Sequence, residues 1–320
     1  MSKPSQSDVH VNAPLTNISI AFIQAAKDFV ADKVFPMVPV SKQSDRYFTY
    51  KKGDWFRSEA QKRADCSESA GSGFEIDNTA SYFSDCFSVH KDIGDQLRAN
   101  QDQPINMDRD ATTWVAQQML LKREKEFVAT SFQPTTWTGG TGGVDITPGT
   151  LWDAVGSDPI SDIETQMDSV HSKSGYRPNV FVATPAVHRA LKNNEAILDR
   201  IKYTQTGVFT EQLLASILGV QNYMVARAVE NSAAEGAADS LDYLYGNDAL
   251  LAYAAPAPSI LQPSAGYQFT WTGLNGGGSG TRISKFRMDS KKCDRVEGDM
   301  CFDHKIIAPE LGVFFLNPVA

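Results

Sequence analysis

Cysteine is scarce in this chain: four residues in 320, at positions 66, 86, 293 and 301. No C-x-x-C pair occurs, although His304 lies close to Cys301. A structural zinc site needs four ligands, usually in tightly spaced pairs, so no metal site is expected. The better reading of the four is reduced, partly buried thiols. Positive charge is also short. Thirty Lys and Arg against 38 Asp and Glu leave a formal net charge of -8, which argues against a protein whose main task is gripping phosphate backbones. The densest basic cluster, Lys122-Arg123-Glu124-Lys125-Glu126, is broken by acids and reads as a solvated helix face. No run approaches the roughly 18 apolar residues of a membrane helix. The N-terminal stretch "MSKPSQSDVHVNAPLTN" lacks the basic start and apolar centre of a signal peptide, so a cytoplasmic origin is expected.

Catalytic signatures are missing too. There is no G-x-x-x-x-G-K-[ST] loop, no G-x-G-x-x-G fingerprint, no G-x-S-x-G elbow, no H-E-x-x-H and no EF-hand loop. "GGTGG" and "GGGSG" lack the lysine of a phosphate loop and read as surface turns. The five histidines, His10, His90, His171, His188 and His304, are spread along the chain. His171 falls at the C-terminal end of a helix, where positive charge is favoured. His188 lies beside Arg189 and Lys192 and reads as solvent-facing. Asp162, Glu164 and Asp168 fall away from the apolar face of their helix and read as surface. No catalytic residue and no cofactor are expected.

What is present is enough apolar material for a sizeable core: 42% of residues are hydrophobic and 21% charged. Residues 1 to about 17 look like a polar arm. Apolar positions from Ile18 to Val34 approach helical spacing, and "FPMVPV" ends that pattern. The strongest helix runs from Asp108 to about Ser131, with Asp108 as cap and Ala111, Val115 and Met119 four apart. Farther on, Asp158 and Pro159 open a helix that Gly175 closes. "NVFVAT" and "YMVARAV" are buried-type strands separated by helices at Thr184 onward and at Thr210–Leu218. Strand, helices, strand implies a parallel crossover in a compact α/β unit. From Leu241 the chain is β-rich.

Between these lies an unusual segment. Residues 41 to 92 hold two strand-rich stretches around the polar middle "SEAQKRADCSESAGSG". The first, Arg46 to Phe56, places Tyr47, Phe48, Tyr50, Trp55 and Phe56 around the charges of Lys51-Lys52-Gly53-Asp54. The second starts at Phe74-Glu75-Ile76 and continues through Tyr82 to Val89. An isolated two-stranded ribbon is marginal in water, so this one should lie against something. The rings either pack on their own domain or are covered by another molecule.

Four stretches, 31–57, 90–127, 172–203 and 256–272, resemble the major capsid protein of tailed bacteriophages. The first opens "ADKVFPMVPV", the second "HKDIGDQLRANQDQP", the third "SKSGYRPNVFVATP" and the fourth "PAPSILQPSAGYQF". That resemblance implies an α+β chain with the Hong Kong 97-type capsid fold. Its parts would be an N-terminal arm (1–40), an extended β-hairpin called the E-loop (41–92), and a peripheral domain (93–154) built on a spine helix at about 108–131. An α/β axial domain (155–265) and C-terminal strands returning to the peripheral domain (266–320) would follow. It also implies subunit-interface roles for Tyr47, Phe48, Tyr50, Lys51, Trp55 and Phe56 on a hairpin laid over a neighbouring subunit. The implied partners are further copies of the chain in hexamers and pentamers, a scaffolding protein, portal and decoration proteins, and double-stranded DNA enclosed without sequence-specific binding. No membrane partner is implied. The implied place is the virion capsid, assembled in the host cytoplasm. The alternatives left by the sequence are a soluble α/β enzyme using residues 155 to 230, or a tail or decoration protein.

Overall fold

The computed structural model describes residues 24–101, 105–202, 210–257, 262–273 and 281–320. The expected arm up to residue 23 and the glycine-rich turn at 274–280 lie outside the described residues. Where the sequence pattern predicts a helix from Ile18 to Val34, the described part holds a 3₁₀ turn (Ala26–Asp28) and one helical turn, α1 (Ala31–Val34). The turn is short because Phe35-Pro36 follows: proline forces the residue before it toward extended geometry.

Strand β1 (Met37–Val40) follows, then the hairpin. Its outgoing limb carries β2 (Ser44–Arg46), β3 (Thr49–Tyr50) and the helical turn α2 (Lys52–Trp55). Its returning limb carries β4 (Ile76–Asp77), β5 (Ser81–Phe83) and β6 (Asp85–Gly94). The strand-rich stretch Arg46–Phe56 is therefore interrupted at Tyr47–Phe48 and again at Lys51. The turn α2 is tied to the other limb, because the Asp54 carboxylate accepts from the Glu75 amide at 3.0 Å.

A short helix α3 (Asp95–Ala99) leads to α4 (Met107–Ser131), about 38 Å long at 1.5 Å per residue. Its cap is Asn106, which accepts from the Arg109 amide at 3.1 Å; Asp108 sits inside the first turn instead. Next come α5 (Pro159–Ser174), β7 (Val180–Ala183), α6 (Pro185–Asn193), α7 (Glu195–Ile201), α8 (Glu211–Leu218) and β8 (Asn222–Val225). The C-terminal part adds β9 (Val229–Asn231), β10 (Leu241–Tyr243), β11 (Ala249–Ala252), β12 (Gly266–Trp271), β13 (Thr281–Met288), β14 (Cys293–Ile306) and β15 (Gly312–Phe315).

Two sheets organise these elements. In the first, β14 is the central strand, pairing antiparallel with β6 on one side and with β12 and β13 in succession on the other, while β1 adds parallel to β12. Helix α4 lies across it. Ala111, Val115 and Met119 meet Ile93, Val296, Met300 and Phe302 in a buried cluster. Gly298 sits directly beneath the helix: a Cβ there would lie 2.3 Å from the Met119 sulfur and 2.5 Å from Val115. The second sheet has the order β15-β11-β7-β8, with β7 and β8 parallel across the three intervening helices. Every residue of β7, β11 and β15 is buried, as expected for a sheet covered on both faces. The last strand thus joins this second sheet.

One charged residue holds three segments together. Glu124 of α4 is buried; its carboxylate accepts from the amides of Val30 (2.7 Å) and Ala31 (3.1 Å) and from the Tyr245 hydroxyl. Burial raises its pKa, and these donors oppose that shift. The expectation of four reduced thiols is corrected: Cys86 and Cys301 form a disulfide, and only Cys66 and Cys293 are free. The β6–β14 register sets the two opposite one another, a pairing across 215 residues that spacing in the sequence cannot show.

Candidate subunit interface

The hairpin is held by short ladders. Ser44–Arg46 pairs with Phe83–Ser81, and Thr49–Tyr50 with Asp77–Ile76. Near its root Tyr82 stacks on Phe269 with ring centroids 4.6 Å apart, and Tyr47 stacks on the same ring at 5.5 Å. Tyr47 is half-buried, and its hydroxyl pKa is raised by burial and by the nearby Asp303 carboxylate. This part of the hairpin belongs to its own subunit.

Farther out the apolar groups face solvent. Tyr50, Trp55 and Phe74 form a triangle with centroid separations of 5.6 to 5.9 Å. The triangle covers little of itself: Trp55 is 56% exposed and Phe74 55%. Phe48 (63%) and Phe56 (64%) are more exposed still. On the returning limb Ile76 and Phe83 are also open. Lys51 pairs with Glu75 across the hairpin, and both ends of that pair are exposed. This carboxylate raises the Lys51 pKa.

The outer part of the hairpin touches the body through Lys52 and Phe56. Lys52 reaches Glu310 at 3.0 Å, and the Phe56 ring lies against Gly175, the left-handed residue that closes α5. Between tip and body is a cleft of about 780 Å³, with Phe48, Trp55, Tyr176, Tyr267 and Ile307 among its lining residues.

Of the six residues expected at an interface, the structure places Phe48, Trp55 and Phe56 in the open. Tyr50 lies in the triangle with Trp55, Lys51 pairs within the hairpin, and Tyr47 lies at the root. Phe74, Ile76 and Phe83 are exposed companions that sequence reasoning had read only as strand residues. The signal was there in the alternation of Phe74-Glu75-Ile76, which sets two large apolar groups on one face.

The remaining candidates do not converge. His188 is half-buried, not solvent-facing: its Nδ1 lies 2.9 Å from the Tyr223 hydroxyl, and burial with the Arg227 charge lowers its pKa. His171, Glu164 and Asp168 are exposed, whereas Asp162 is half-buried and accepts from the Trp152 indole at 2.9 Å. His304 is buried among Phe35, Phe127 and Phe302, and among the described residues neither of its ring nitrogens finds a hydrogen-bond partner. Among the described residues no three His, Cys, Asp or Glu side chains gather as metal ligands, and no helix is long and apolar enough to cross a membrane.

No protein-family model matches the chain. It is 26% identical over 219 residues to the major capsid protein of Burkholderia phage BcepMu, covering 68% of this chain and 69% of that one. It is 26% identical over 328 aligned positions to the major capsid protein of Pseudomonas phage JBD67, covering 99% of each. Among solved structures, the cyanophage P-SCSP1u capsid superposes with a TM-score of 0.59 at 12% identity, over 97% of this chain and 93% of that one. This chain has the Hong Kong 97-type capsid fold. A phage-related protein of Bordetella bronchiseptica RB50 superposes with a TM-score of 0.70 at 21% identity, over 92% and 93% of the two chains. The hairpin of residues 44–83 lies within the stretch 41–92 expected to form the E-loop, and α4 coincides with the helix expected at about 108–131.

Proposed function

We propose that this chain is the major capsid protein of a tailed phage, and that copies of it close an icosahedral head in which each E-loop lies on a neighbouring subunit. The observation that carries the second part is the exposure of Phe48, Trp55, Phe56, Phe74 and Ile76 on a ribbon that is too thin to bury them. Large apolar groups clustered on a surface mark a contact site, and aromatic residues are enriched at the cores of such contacts. An obligate interface buries on the order of 2,000 Å² or more, and a hairpin laid across a neighbour adds to that area. Lys51 belongs to the same surface, its pairing with Glu75 leaving it exposed.

In this reading, hexamers and pentamers are the assembly units, a separate scaffolding protein guides them, and portal and decoration proteins bind the finished shell. The formal charge of -8 suits a container for DNA, since a strongly cationic wall would hold phosphate nonspecifically. No observation favours the alternatives, an α/β enzyme or a tail or decoration protein.

The test is electron microscopy of the expressed chain, alone and with a scaffolding protein. Capsomers, tubes or closed shells are expected. A particle that stays monomeric across protein concentration, salt and scaffold would overturn the proposal.

A further inference from the structure

The Cys86–Cys301 bond sits at the root of the E-loop. On the β6–β14 ladder Cys301 faces Cys86, and one residue farther Phe302 faces Asp85, the last rung before the hairpin leaves the sheet. The adjacent Ser84 is buried and fixed from two sides: its amide donates to the Gln43 carbonyl at 2.9 Å and its hydroxyl to the Phe269 carbonyl at 3.3 Å. The neighbouring rung, Phe87 and Met300, packs under the spine helix, so by strand alternation the cysteines lie on the sheet's other face. Their Cα atoms are 4.1 Å apart. Backbone pairing alone therefore holds the two side chains opposite each other, bonded or not. Cys301 is fully buried, whereas Cys86 is an exposed residue, so the pair lies at the surface on the Cys86 side.

We propose that Cys86 and Cys301 are a redox staple at the E-loop root: a dithiol while subunits assemble in reducing cytoplasm, a disulfide in the particle after release. The inference rests on the capsid reading above. A cytoplasm keeps ordinary thiols reduced, whereas an oxidising exterior does not. The oxidant is dissolved dioxygen. Each cysteine gives up its S–H proton and the S–S bond forms. The two electrons released, with those two protons, convert dioxygen to hydrogen peroxide. During assembly the rung is held by backbone hydrogen bonds alone, and the hairpin can adjust its angle on a neighbour. Afterwards a covalent tie spans 215 residues of chain and fixes that angle. Exposure of Cys86 makes the closed bond reducible by thiol exchange.

Thiol counting tests this directly. Denaturing alkylation with N-ethylmaleimide should add two groups per chain, at Cys66 and Cys293, in particles released into air. It should add four in infected cells quenched during assembly, and four again in particles treated with dithiothreitol before alkylation. Four groups in aerated particles, or two in quenched cells, would overturn the staple. Protease digestion reads its mechanical effect. Dithiothreitol should speed cleavage of the hairpin in wild-type particles roughly ten-fold, equivalent to about 1.4 kcal/mol, and leave Cys86→Ser particles unchanged. No acceleration in the wild type, or equal acceleration in both, would refute the proposal. Should Cys86→Ser subunits not assemble, Cys86→Ala serves at the same exposed position. If no particle forms even from wild type, the capsid reading fails, while alkylation of the aerated soluble chain still decides the staple.

Discussion

Trp55 shows what a single residue can reveal about assembly. It is more than half exposed and touches only Tyr50 and Phe74 among the aromatic rings. Truncating a core tryptophan costs roughly 3–5 kcal/mol, whereas Trp55→Ala here should change subunit stability by about 1–2 kcal/mol, the worth of two half-exposed ring contacts. Shell yield by sedimentation should instead fall steeply. Urea unfolding of the soluble subunit supplies the comparison, and a core-sized loss of stability there would assign Trp55 to its own subunit. His304 behaves in the opposite way. Burial, with the Arg123 charge beside it, pushes its pKa from 6.5 down to about 3. Above pH 6.5 the ring is neutral in both folded and unfolded chains, and its contribution to stability is fully present. As pH falls from 6.5 toward 3 only the unfolded chain takes up the proton, so stability drops by up to about 1.4 kcal/mol per pH unit. His304→Leu should flatten the urea midpoint between pH 6.5 and 5 relative to wild type. An unchanged slope would show that other groups set it. Neither environment could be read from one sequence: Trp55 announced a large ring but not its exposure, and His304 became buried only because β14 carries it beneath Phe35 and Phe127.

At the scale of elements, legibility followed how local the cause was. Helix α5 was readable at both ends because Asp158, Pro159 and Gly175 act within one turn of the residues they cap. The parallel pair β7 and β8 was readable from two apolar runs separated by helices. The strand-rich stretch Arg46–Phe56 is less legible: it breaks at Tyr47–Phe48 and again at Lys51, and the turn that follows is tied by Asp54 to a residue 21 positions away. The contact between spine helix and sheet is the same kind of nonlocal fact. Gly298 gives no hint of its role in sequence, yet Val115 and Met119 occupy the space its side chain would need. Gly298→Val should force α4 away from β14 and destabilise the subunit by about 1–3 kcal/mol or more. Thermal unfolding of the isolated subunit measures this, and a neutral result would mean that the helix lifts off the sheet without cost.

For the whole molecule, the decisive feature is that the E-loop leaves its large apolar groups uncovered in a single subunit. Residues 57–73 between its limbs are almost wholly exposed and include Arg57, Lys62 and Arg63. The hairpin's own ladders are only three and two residue pairs long, so local opening should be frequent in a free subunit. A Lys/Arg-specific protease should therefore cut soluble subunits first within this span, leaving two fragments while the two sheets stay folded. In assembled shells a neighbour would cover the apolar side of the ribbon and oppose opening. Cleavage there should slow by roughly ten-fold or more, since each 1.4 kcal/mol of added protection is worth that factor when opening is in rapid equilibrium. Trp55→Ala chains that still assemble should show an intermediate rate, linking the exposed rings to the protection itself. Equal cleavage rates for free subunits and intact shells would mean that the ribbon projects without lying on a neighbour. The exposed aromatics would then need a different partner.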